Sequence, residues 1–205
     1  MDDAGPHRQR RGGLASSRQD DKAMLTAVVT GGLASGKSTA TAHLRGRGAT
    51  LIDADAIAHD LLIPPSDAIA EVVAAFGSAV ATSDGTVDRK ALAGIVFGDP
   101  DARLRLEAIL HPRIRAAMAA AREAARARGA QLVVEDIPLF VESGGREGPM
   151  SAGIDVVLTI CAPEPLRRRR AVQGRGMDPG DVRGRLAAQA SDAEREAEAD
   201  IVLDG

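Results

Sequence analysis

Apolar residues fall into short runs separated by stretches in which they recur at helical spacing. "LTAVVT" from Leu25, "TLID" from Thr50, "QLVVEDIP" over Gln131 to Pro138 and "IDVVLTI" over Ile154 to Ile160 each predict a buried strand. "DIVL", Asp200 to Leu203, predicts a short last one. Between the first two runs, "SGKSTATAHLRGRG" predicts a helix closed by Gly48. Strands alternating with helices imply a three-layer α/β fold with a central parallel sheet covered on both faces. Between the second and third strands lie residues that read mostly as helix, over Asp67 to Phe76, Arg89 to Val96 and Ile114 to Arg128. That excursion exceeds a crossover, so part of it is expected to form a helical subdomain above the strand ends. Residues 1–23 lack apolar periodicity and read as a disordered extension or an upstream-start artefact outside the fold. The expected division is a core of 24–58, 129–166 and 191–205, an insertion of 59–128 and a mobile segment of 167–190.

With 205 residues, 44% of them hydrophobic, the chain can bury one well-packed core without disulfides or metals. It has no Trp or Tyr and only 3 Phe, so Ala, Val, Leu and Ile must build that core, and stacking on nucleic-acid bases has almost no material. A formal net charge of -3 argues further against nucleic acid or an anionic membrane as partner. A small-molecule partner is expected. Cys161 is the only cysteine, which excludes an intramolecular disulfide and reads as a small apolar residue beside a strand. No run approaches the ~18 apolar residues of a membrane span, and the polar start has no apolar leader region. No membrane contact and a cytoplasmic location are the expectations.

The strand-to-helix junction carries the chemistry. Gly31-Gly32-Leu33-Ala34-Ser35-Gly36-Lys37-Ser38 satisfies G-x-x-x-x-G-K-[ST] in its required context, a strand before and a helix after. Glycines let such a loop curl so that backbone N–H groups form an anion nest at the positive end of the helix. Lys37 can reach the β- and γ-phosphates of a nucleoside triphosphate, and the Ser38 hydroxyl can ligate Mg²⁺. The motif does not say whether the phosphate is hydrolysed or transferred.

Carboxylates at the same sheet edge bear on that choice. Asp53-Ala54-Asp55 follows the second strand, and the i, i+2 spacing predicts side chains pointing in different directions with separate tasks. One such carboxylate can accept a proton from an attacking hydroxyl. At the next acidic strand end, Glu135-Asp136, Asp136 reads equally as an Mg²⁺ holder or as the organiser of the turn before Pro138. "RRRRAVQGRGMD", from Arg167, concentrates cations in an acidic chain; Arg167 and Arg170 are predicted to share one helix face, with some of the run simply solvated. Its functional reading is a lid that offsets phosphoryl charge and excludes water, bending at Gly174 and Gly176. His111 before Pro112 has two readings, a contact to the acceptor or a structural cap at a helix start, and is left out of the catalytic set.

Taken in order, "TGGLASGKST", "IDADAIAHDLL", "DGTVDRKAL", "LEAILHPRI", "EDIPLFVE", "RRAVQGRGM", "AAQAS" and "ADIVLDG" resemble the bacterial dephospho-CoA kinases, from about Leu25 to Gly205. The resemblance implies a P-loop kinase fold with a helical substrate-binding insertion and a lid. It implies transfer of the γ-phosphate of ATP, with Mg²⁺, to the ribose 3′-hydroxyl of dephospho-CoA. It implies Asp55 as catalytic base with Lys37 and Arg170 in the catalytic set, Ala34, Ser35, Gly36, Lys37, Ser38, Thr39 and Arg175 as ATP-binding, Ser38 as the metal ligand, and Asp136, Pro138 and Leu139 as the acceptor side. The insertion carrying Asp88-Arg89 and His111-Pro112 resembles a CoA-binding subdomain. Two departures stand out: Ala34 replaces a common Gly, and Asp204-Gly205 stands where relatives carry an Asn approaching the adenine. A monomer or weak oligomer is expected. A P-loop kinase for a nucleoside or sugar-type acceptor, and an ATP-dependent switch without an acceptor, are the competing readings.

Overall fold

The computed structural model describes residues 24–205; the expected N-terminal extension lies outside them. Five strands form one sheet: β1 (Leu25–Gly31), β2 (Thr50–Asp53), β3 (Leu132–Asp136), β4 (Val156–Cys161) and β5 (Ile201–Asp204). Their order is β2-β3-β1-β4-β5 and every pairing is parallel. Register fixes what reaches the carboxyl edge: Asp136 stands opposite Val29 of β1 and Asp53 of β2, while Gly31 stands opposite Ile160. The chain reverses its direction of strand addition at β1, so a crevice opens above that strand end.

Side-chain alternation divides the core between the two faces of the sheet. Val28, Ile52, Val133 and Val157 pack with Leu110, Ile114, Met118 and Phe140 on one face. Val29, Val134 and Ile160 pack on the other against Ala40 and Leu44 of α1 (Lys37–Gly46). The first face is covered by the helical excursion: α2 (Ala54–Asp60), α3 (Ala68–Phe76), α4 (Arg89–Val96) and α5 (Pro100–Ala127). Asp88 starts α4 by accepting from the N–H groups of Lys90 and Ala91, and Asp99 starts α5 by accepting from those of Asp101 and Ala102.

The long helix corrects the sequence expectation. Pro112 does not mark a helix start; it lies inside α5, which begins at Pro100, so His111 is not a cap. An interior proline removes one backbone donor and crowds the preceding turn. The Ala108 carbonyl thereby loses its helical donor, while Arg113 donates Nη1 to the next carbonyl, that of Ile109, at 2.8 Å and reaches Glu71 at 2.6 Å. Cys161 is the buried last residue of β4 rather than a neighbour of it.

After β4 come α6 (Glu164–Arg169), a π-helical turn over Arg170–Gly174, α7 (Pro179–Ala188) and α8 (Asp192–Glu198). Ser191 caps α8 reciprocally with Glu194. Two of the three phenylalanines test the core assignment by contrast, because Phe140 is fully buried and Phe97 is 89% exposed. Phe140→Ala is expected to cost about 3–5 kcal/mol in denaturant unfolding. Phe97→Ala is expected to stay within about 0.5 kcal/mol of the parent.

Candidate functional site

The loop between β1 and α1 is built without a side-chain cap. Gly36 occupies the N-cap position at φ 109°, a conformation open to glycine, and accepts from the Thr39 N–H at 2.9 Å. The first N–H groups of α1 therefore face the loop's hollow. Ala34 adopts φ 57°, so the residue that replaces a common glycine sits in the left-handed region that glycine takes at no steric cost. The nest keeps its shape regardless.

Beneath the loop lies a buried arginine platform that sequence reasoning missed. Arg195 is completely buried; its Nη2 meets Glu142 at 2.8 Å and its Nη1 donates to the Ala190 carbonyl. Glu142 also accepts from the Ala190 N–H at 2.9 Å, and Gln189 accepts from the Leu33 N–H of the loop at 2.8 Å. Arg167 packs against the backbone of Gly32, where any Cβ would collide with its guanidinium, while its Nε donates to the Ala162 carbonyl at 2.8 Å. Arg167 and Arg170 therefore do not share a functional face, contrary to the i, i+3 expectation. The first supports the loop from inside; the second opens onto a cavity.

That cavity, of about 720 Å³, is walled by the loop and α1 through Ala34, Gly36, Ser38 and Thr39, by Arg170 and Arg175, and by the end of β5 at Asp204 and Gly205. His43 of α1, not anticipated, also lines it. Arg170 and Arg175 are five residues apart, which on an α-helix would separate them by about 140°. The π turn across Arg170–Gly174 closes i→i+5 and brings both to one cavity. Gly176, at φ 65°, then turns the chain into α7.

Alongside is a cavity of about 450 Å³ with a polar floor. Ser35, Lys37 and Ser38 of the loop side line it together with Asp53, Asp55 and Asp136, with Pro138 and Leu139 on one wall and Arg175, Arg185 and Gln189 on another. Lys37 forms an ion pair with Asp136, so this carboxylate meets the loop's lysine rather than the turn before Pro138. Asp53 caps α2 by accepting from the Ala56 N–H at 3.0 Å. Asp55 sits in the first turn of α2 rather than on the strand, which is why the two carboxylates share one cavity instead of diverging as the strand spacing predicted.

Asp55 stands at a junction. It also lines a cavity of about 220 Å³ bounded by Leu106, Leu110 and His111 of α5 and by Ile137, Pro138 and Leu139. The protein around its carboxyl raises its pKa, and the nearby charges of Asp53 and Asp136 push the same way against Lys37 and Arg89. Arg89, the first residue of α4, thus links the helical excursion to the site. Arg185 and Gln189, four residues apart around the end of α7, also line the polar cavity, with no role expected of either from the sequence. Among the described residues no group of three or more His, Cys, Asp or Glu is placed to hold a metal by itself. A hard cation at this site would take oxygens from Ser38 and from an anionic ligand, a donor set that suits Mg²⁺.

Residues 25–205 match the family model described as dephospho-CoA kinase. A dephospho-CoA kinase from Frankia casuarinae is 47% identical over 185 residues, covering 88% of this chain and 76% of that protein. One from Corynebacterium jeikeium is 43% identical over 181 residues, covering 88% and 90%. Among solved structures, TT1252 from Thermus thermophilus superimposes with a TM-score of 0.75 at 32% identity, covering 89% of this chain and 88% of that one. A dephospho-CoA kinase from Campylobacter jejuni gives 0.62 at 30%, covering 88% and 87%.

The arginine platform makes a direct prediction. Arg195→Met removes the cation and leaves the Glu142 carboxylate without its charged partner. Such a loss costs about 3–5 kcal/mol. Denaturant unfolding should show a midpoint lowered accordingly, whereas Arg168→Met, on the exposed face of α6, should leave it within about 0.5 kcal/mol.

Proposed function

The chain belongs to the dephospho-CoA kinase family, and on that basis we infer the chemistry of its site. It phosphorylates dephospho-CoA with ATP as donor, giving CoA and ADP, the last step of coenzyme A biosynthesis. The observation that supports our assignment of roles is the position of Asp55, shared by the polar cavity beside the phosphate loop and the smaller cavity along α5. Donor on one side and acceptor on the other would meet at its carboxylate.

Asp55 accepts the proton of the ribose 3′-hydroxyl as that oxygen bonds to the γ-phosphorus and the bond to the ADP oxygen breaks. Its raised pKa suits the task, since a base holds a proton better the closer its pKa lies to working pH. Ala34 through Thr39 wrap the triphosphate with backbone N–H groups, and Lys37 shifts from Asp136 toward the β- and γ-phosphates. Arg170 and Arg175 offset charge on the group in transit. Pro138 and Leu139 bound the acceptor side, while Asp136, expected there as well, pairs with Lys37 beside the phosphate loop. Mg²⁺ held at Ser38 would neutralise phosphate charge during transfer. Segment 167–190 acts as the lid, excluding the water that would turn transfer into hydrolysis. Residues 59–128 form the acceptor-binding insertion.

We propose a monomer or weak oligomer that works on a small molecule without nucleic acid, in keeping with the net charge of -3. No helix among the described residues is long and apolar enough to cross a membrane. We place the reaction in the cytoplasm, where both substrates arise.

Coupled ADP release, run with MgATP and dephospho-CoA, adenosine, shikimate or gluconate, is expected to be stimulated most by dephospho-CoA. No stimulation above the acceptor-free background would sink the reading and favour a nucleotide switch. Asp55→Asn is expected to lower kcat by about 10²–10⁴-fold with KM nearly unchanged. The base works ionised, so kcat of the parent should rise as pH climbs through a value above the ordinary ~3.9 of aspartate. That acid limb should be absent from the variant, and its persistence there would remove Asp55 as base.

A further inference from the structure

The small cavity at Asp55 does not end the hollow beside α5. A second one, of about 520 Å³, continues along the same helix, and Met150 lines both. Leu106, Leu110 and Ile114 wall the first; Arg115, Met118 and Arg122 wall the second. From Leu106 to Arg122 the helix rises about 24 Å, so the paired hollows suit a long, thin ligand better than a compact one.

The second cavity is lined by a buried acceptor that no donor among the described residues satisfies. Glu135 is completely buried and lines it. Its Oε1 accepts from Arg122 Nε at 2.9 Å, but its Oε2 has no hydrogen-bond partner among the described residues. Arg122 is committed elsewhere as well, donating Nη1 to the Ala152 carbonyl at 2.7 Å. A buried oxygen in this state is costly unless a ligand brings an N–H or O–H to it.

We propose that this second cavity receives the pantetheine arm of dephospho-CoA, a subsite that rests on the acceptor assigned above. The arm is thin and carries amide N–H groups and a hydroxyl that can answer Glu135 Oε2. Its methyl and methylene groups match Met118, Met150, Pro149 and the alanines of α5. Arg115 lies one turn beyond His111 on the same stripe of α5, at the passage between the cavities, where the diphosphate joining arm to adenosine would pass. The subsite thereby separates dephospho-CoA from a bare nucleoside that offers the same 3′-hydroxyl.

The test compares dephospho-CoA with adenosine as acceptor in the full-length enzyme and in Ala119→Trp, which fills the second cavity from an exposed position of α5. The expected result is a KM for dephospho-CoA raised about tenfold or more, worth roughly 1.4 kcal/mol, with kcat/KM for adenosine within about twofold of the parent. Free pantetheine should bind the parent in calorimetry and compete with dephospho-CoA, and should do neither in the variant. An unchanged KM for dephospho-CoA, or a parallel loss on both acceptors, would overturn the subsite. Arg115→Met leaves the Glu135–Arg122 pair intact and carries the same comparison should the tryptophan variant fail to fold. Absence of dephospho-CoA turnover by the parent would instead undo the acceptor assignment, while pantetheine calorimetry still reports on the cavity.

Discussion

The ion pair between Lys37 and Asp136 joins the two elements on which the site depends, the phosphate loop entering α1 and the carboxyl end of β3. Both charges sit in a cleft where they are largely withdrawn from water, and each needs a partner there. Parallel register supplies the constraint: Val29, Asp53 and Asp136 come level, so the loop after β1 and the helix after β2 must open over the same edge. In the reading proposed above, a phosphoryl group entering this cleft competes with Asp136 for Lys37. The cleft is thus charged but internally balanced until an anion arrives.

Around that pair the chain divides its arginines by burial. Arg167 and Arg195 lie beneath the loop, bonded to backbone carbonyls and to Glu142, where their task is shape. Arg170 and Arg175 reach the cavity above it, and only the π turn between them makes five residues of separation converge. One dense basic run therefore serves two layers. In the proposed reading the buried cations hold the loop's N–H groups toward the ligand from below, and Arg170 and Arg175 meet the ligand's charge from above.

The strands, their parallel arrangement and the phosphate loop were legible in the sequence because each rests on a local pattern: an apolar run, a glycine spacing, a carboxylate at a strand end. Asp55 was expected at a strand end, pointing away from Asp53, but its place in the first turn of α2 puts both in one cavity. Pro112 misled because proline is favoured at the first turn of a helix, whereas here it lies inside α5, next to an Arg113 guanidinium that bonds the Ile109 carbonyl and Glu71. Glu142 and Gln189 fall inside "EDIPLFVE" and "AAQAS", yet neither they nor Arg195 signalled their partners, which stand between about fifty and more than a hundred and fifty positions away in sequence. The split of the arginine run was equally hidden, because burial of Arg167 depends on the Gly32 backbone, far from it along the chain.

The central claim is that the phosphoryl group held by this loop is handed to an alcohol across Asp55 rather than released to water. Single-turnover mixing of excess enzyme with γ-labelled ATP and dephospho-CoA tests it most directly, with the label followed into products. The account predicts that the label appears on the ribose 3′-oxygen of CoA, in step with ADP formation. Label recovered as inorganic phosphate at the rate of ADP formation, with none on the ribose, would contradict it.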